Sequence, residues 1–111
     1  MNKLIILWTT DNEITIKNML FMYAKNAKIH HWFDEVKIII WGASSHLLAN
    51  NKSIQNELQD VLHAGVEAVA CLACSENLGI TQLIKDLGIE LKYVGEDLSQ
   101  LLKSDAKILT I

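Results

Sequence analysis

Proline is missing from this chain altogether. A thioredoxin-like site sets a cis-proline opposite its thiols, so that arrangement is disfavoured at the outset. Cysteine is nearly as scarce, with Cys71 and Cys74 the only two. Together with four dispersed histidines they fall short of the three or four closely spaced ligands of a zinc site. An oligomer could complete such a set, but one subunit is expected to hold no metal. Positive charge is not concentrated anywhere: lysines are scattered singly, there is no Arg-rich helix, and the net charge is −3. Nucleic acid is therefore not an expected partner. Long apolar runs are absent too, and no window approaches the roughly 18 residues of a membrane span. The opening MNKLIILWTTDNE has too few apolar residues for a secretory core of about 7–15, so it is expected to be a first strand. GxGxxG, GxxxxGK[ST] and GxSxG do not occur, which removes the usual dinucleotide, phosphate-loop and nucleophile-elbow arguments. No organic cofactor is expected.

What the chain does have is apolar material in short, regular doses. Half of its 111 residues are apolar, enough for one real core. No repeat, linker or charge block divides it, so residues 1–111 are expected to be a single domain. Lys3 to Trp8 reads as a buried strand, followed by Thr9-Thr10-Asp11-Asn12, whose side chains suit a helix N-cap. Ile16, Leu20, Tyr23, Ala24 and Ala27 recur at helical spacing, predicting a long helix that frays near His30 and His31. Val36 to Trp41 is a second strand, and Ala43 to Ala49 a short helix that Ser44 or Ser45 could cap. Ile54, Leu58, Val61 and Leu62 mark the next helix, ending at Gly65. Val66 to Cys71 is the third strand, Thr81 to Leu87 a helix stopped by Gly88, and Ile89 to Val94 the fourth strand. Leu98, Leu101 and Leu102 mark a last helix before a closing strand, Lys107 to Ile111. Alternating strands and helices imply parallel pairing with right-handed crossovers. The expected fold is a three-layer α/β/α sandwich with a mainly parallel sheet of about five strands, Rossmann- or flavodoxin-like in architecture. Strand order does not follow from periodicity.

Chemistry gathers where GVEAVACLAC ends. Cys71 should close the third strand, with Cys74 in the turn beyond, at the sheet edge where helix amino-termini and ligands meet. Backbone N–H groups and the helix dipole there stabilise a thiolate, with Ser75 available as a cap. Such a thiolate can attack sulfur, carry a persulfide, or pair with a neighbour three residues away. The alternative is that both cysteines are small hydrophobes in the core. The other strand ends should line the same edge: Thr9, Thr10 and Asp11, then Gly42, Ser44 and Ser45, then Gly95 and Glu96. Their hydroxyls and N–H groups could hold a sulfur anion or other small acceptor, or could simply cap helices. His46 either reaches the thiols or is an idle surface histidine, and His30, His31 and His63 have no assigned role. Trp8, Trp32 and Trp41 are expected in the core, with some apolar surface covered by another subunit.

The stretches LWTTD, LFMYAKNAK, IIIWGAS, GVEAVACLAC followed by GI, and YVGEDL together resemble the DsrE/DsrF family of small sulfur-transfer proteins, in its stand-alone branch. They span nearly the whole chain, and the cysteine segment is the most specific. The resemblance implies a DsrEFH-like parallel α/β domain assembling into homo- or hetero-oligomers, commonly trimers or hexamers. In relay members a cysteine follows the third strand, eight residues before the glycine of a G-[IV] pair; here that is Cys71, with Gly79 and Ile80 in register. Cys74 departs from those members, which often lack it, and opens the way to an intramolecular disulfide. The function expected is a sulfur carrier or sulfurtransferase-like protein. The lack of a secretory core and of a membrane span predicts a cytoplasmic chain, in a reducing compartment where a close cysteine pair is more often catalytic, redox or metal-binding than structural. Cys71 would carry the sulfur, Cys74 would resolve or modulate, and donor and acceptor proteins would be the partners, with no membrane. The alternatives are an oligomeric binding or scaffold module with inert thiols, and a CxxC thiol-disulfide switch.

Overall fold

A computed structural model describes residues 2–111. Five parallel strands form one sheet in the order β4-β3-β2-β1-β5: β1 (Lys3–Trp8), β2 (Glu35–Ile40), β3 (Glu67–Cys71), β4 (Glu90–Lys92) and β5 (Lys107–Thr110). Helices α1 (Glu13–Thr15) and α2 (Phe21–Ile29) join β1 to β2 and are fused by a π-helical turn, Ile16–Leu20. Helices α3 (Ala43–Asn50) and α4 (Lys52–His63) join β2 to β3, α5 (Leu72–Leu78) and α6 (Thr81–Asp86) join β3 to β4, and α7 (Gly95–Leu102) joins β4 to β5. The α/β/α class expected from the sequence is the one observed.

The strand order decides how the helices are shared between the faces. From β1 to β4 every step goes the same way along the sheet, so right-handed crossovers put α1 to α6 on one face. The return from β4 to β5 runs the opposite way and puts α7 on the other. Packing agrees. Leu4, Ile6, Trp8, Val36, Ile38 and Ile40 point into a large core with Ile16, Leu20, Leu48, Leu58 and Ile84. The alternate residues Ile5, Ile39, Val69 and Cys71 form a smaller core with Val94, against which Leu98 and Leu101 of α7 pack. The double cover expected from the all-apolar strands is thus lopsided, since α7 has only eight residues.

Several boundaries move. Trp41 lies just beyond β2, and β4 is only three residues long, with Ile89 and Val94 outside it and buried in opposite cores. Leu72–Leu78 is a helix rather than a turn, so Cys74 is a helical residue. Ser75 does not cap it; its buried hydroxyl donates to the Cys71 carbonyl at 2.9 Å. Ser44 and Ser45 are not caps either, since both are fully buried inside α3. Ser44 Oγ donates to the carbonyls of Trp8 (2.6 Å) and Trp41 (3.0 Å), tying the ends of β1 and β2 together. Trp8 is in the core as expected, whereas Trp32 is 54% exposed. His31, at φ 55°, ends α2 in a left-handed turn that folds Trp32 outward against Tyr23, 6.1 Å between ring centroids. No described helix is long and apolar enough to cross a membrane.

Candidate functional site at the carboxyl edge of the sheet

Helices α5 and α6 leave β3 for one face of the sheet, while α7 leaves the neighbouring strand β4 for the other. Where connections diverge in this way a crevice opens beyond the carboxyl ends of the strands, the usual ligand position in parallel α/β sheets. Cys71 is the last residue of β3, at that point. It also takes the N-cap position of α5, with φ −69° and ψ 117°, beside the unpaired N–H groups of the first helical turn.

An open cleft of about 470 Å³ lies on the β2 side of Cys71, walled by the α3 end of β2 and by α5, with no residue of β4 or α7 in its lining. Trp41, Gly42, Ala43 and His46 line the first wall; Cys71, Ala73, Cys74, Asn77 and Leu78 line the second. Both cysteines of the chain therefore face one cleft, as free thiols. Cys71 is only 3% exposed and packed among the apolar residues of the smaller core, and it lines this wall. Cys74 is more open. Its Sγ donates to the Gly42 carbonyl at 3.8 Å, whereas Cys71 Sγ has no hydrogen-bond partner among the described residues. Gly42, at φ 80° and ψ −138°, adopts a backbone that a side chain would strain, and that conformation aims its carbonyl at Cys74.

Of the residues singled out from the sequence, the fold brings Cys71, Cys74 and Gly42 together, and adds His46 from α3. Thr9, Thr10, Ser44 and Glu96 do not line the cleft. Thr9 donates through N and Oγ1 to the Ile111 carbonyl, and Thr10 Oγ1 accepts from Asn12 N at 3.1 Å. Asn12 is the cap, accepting from Thr15 N. Ser44 lies beneath the cleft as a structural tie, and Glu96 is an exposed residue in the first turn of α7. Asn77 and Leu78 went unnoticed in the sequence; they follow Cys74 by three and four residues, so recognising α5 as a helix would have placed them on its face.

Charge stays outside this space. Tyr93 donates to Glu76 Oε1 at 3.2 Å; that bond first, and then the Glu76 charge, hold the phenol above its usual range. Lys92 is paired with Asp97, whose carboxyl sits below the usual range chiefly through the same bond. Among the described residues no three His, Cys, Asp or Glu side chains cluster closely enough to hold a metal ion.

No protein-family model and no curated protein matches the chain. The solved structure of the E. coli ychN protein is 19% identical, with all of both chains covered and a TM-score of 0.73. At that identity the likeness is one of fold, and it supports the DsrE-like fold that the sequence resemblance implies. The conserved protein of unknown function BT1422 from Bacteroides thetaiotaomicron is 46% identical over 99% of this chain and 95% of its own, with a TM-score of 0.97. The chain belongs to the same family as that Bacteroides protein.

Proposed function

We propose that the chain is a sulfur carrier that accepts sulfane sulfur on Cys71 and passes it on by thiol exchange. One observation carries the reading: both thiols of the chain face one open cleft at the carboxyl edge of the sheet, between the β2–α3 and β3–α5 connections. The DsrE-like fold and the match of Cys71 to the relay cysteine of the DsrE/DsrF family support it.

In the loading step the Cys71 thiolate attacks the outer sulfur of a persulfide R–S–SH. A Cys71–sulfur bond forms, the R–S bond to that sulfur breaks, and R–S⁻ leaves, giving Cys71–S–SH with no net oxidation. An acceptor thiolate then attacks the outer sulfur, takes it as R′–S–SH and restores the Cys71 thiolate. Cys71 presents its sulfur beside the first-turn N–H groups of α5 at both stages. Cys74 has a different part. Its thiolate could attack the inner sulfur of the persulfide, close a Cys71–Cys74 disulfide and expel HS⁻, which would waste the cargo. In the free protein Cys74 Sγ donates instead to the Gly42 carbonyl, on the opposite wall of the cleft, at 3.8 Å. A reducing cytoplasm, where both thiols stay free, suits this chemistry.

Incubation with an organic persulfide followed by intact mass spectrometry is expected to show the gain of one sulfur atom. Cys74→Ser should load equally and lose the sulfur as sulfide more slowly, by about tenfold, because the internal attack is removed. No added sulfur on the unmodified protein would overturn the proposal. Loss of two hydrogens in place of the gain would favour the thiol-disulfide switch.

A further inference from the structure

We infer that the cleft draws its sulfur from donors whose carbon part is uncharged and apolar, and discriminates against anionic ones. The inference rests on the sulfur-carrier reading and adds the class of donor. Its basis is the lining. Trp41, Ala43, Ala73 and Leu78 supply hydrocarbon, Asn77 supplies a neutral amide, and no lysine, aspartate or glutamate faces the space. His46 is the only titratable group there besides the thiols. An anion entering such a cleft loses hydration and finds no fixed counter-charge.

The sequence had offered hydroxyls at the strand ends as a cradle for a sulfur anion, but Thr9, Thr10 and Ser44 spend theirs on the backbone and none lines the cleft. An apolar thiol fits instead. Its carbon group packs between Trp41 and Leu78, and a cleft of about 470 Å³ is within the range of small-molecule sites. The electrophile in the loading step is the protonated persulfide R–S–SH, itself neutral, so a space without fixed charge admits the reactive form.

Benzyl persulfide and glutathione persulfide test this, because both carry the same reacting group on carbon parts that differ in charge. Each rate of sulfur gain on Cys71 is divided by the rate with a small free thiol, which removes intrinsic reactivity. The benzyl donor is expected to be favoured about tenfold or more. Asn77→Lys places a cation on the cleft wall at an exposed helical position that tolerates lysine, and should cut that preference at least several-fold. Equal normalised rates, or a preference that Asn77→Lys leaves unchanged, would overturn the inference while the carrier reading stands. Failure of both donors to load the unmodified protein would instead remove the carrier reading, and this inference with it.

Discussion

On the proposed carrier function, Cys71→Ala is expected to reduce sulfur uptake to below about a hundredth of the unmodified rate and to leave the fold in place. The size of the effect follows from chemistry, because the remaining thiol, Cys74, is bound to a carbonyl and lies in the body of α5 rather than at its cap. The mild structural cost follows from packing. Cys71 behaves toward the smaller core as a small hydrophobe, and alanine keeps that apolar character while removing a single sulfur. Alanine is the better probe than serine, since a hydroxyl facing Ile39, Val69 and Val94 would carry its own desolvation penalty of roughly 1–3 kcal/mol. Intact mass spectrometry after donor treatment, with circular dichroism on the same sample, reads both parts. Undiminished uptake in Cys71→Ala would move the carrier role to Cys74.

The largest loss of stability is expected from Trp8→Ala, about 3–5 kcal/mol. Trp8 closes β1, is fully buried, and meets Phe21 edge-to-face at 5.4 Å between ring centroids and an 80° interplanar angle. Its Nε1 donates to the Thr10 carbonyl at 2.9 Å, so truncation also deprives that carbonyl of a donor. Against a total stability on the order of 5–15 kcal/mol, such a loss takes much of the margin. Trp8→Phe keeps most of the apolar contact and should cost appreciably less. Urea denaturation of the two variants gives the comparison; equal stabilities would show that the ring and its hydrogen bond do little here.

Different features of the sequence carried different amounts of this architecture. The β1 span was legible to the residue because the continuous apolar run Leu4–Trp8 is bounded by Lys3 on one side and polar turn residues on the other. The position of Cys71 at a strand end was legible for the same reason, since Gly65 and the polar segment after Cys74 bracket the run. Helix α5 was not legible. It has seven residues and a single buried one, Ser75, so no apolar stripe announces it, and Asn77 and Leu78 went unnoticed with it. Serines ahead of or within a helix look alike in sequence whether they cap it or bury a tie, and only the approach of the Trp8 and Trp41 carbonyls decides the matter for Ser44. Strand order is a long-range property that local periodicity does not encode. That order is what sets β2 beside β3, so that the segments leaving their carboxyl ends wall the cleft.

The most direct measurement is peptide-resolved alkylation by iodoacetamide, a small uncharged reagent, along a urea series below the unfolding transition. A thiol reached through the cleft is modified in the folded protein, at a rate that stays nearly flat as urea is added. That is the result predicted for Cys71. Modification of Cys71 only in step with global unfolding would mean that its sulfur is closed off from solvent, and would contradict the account.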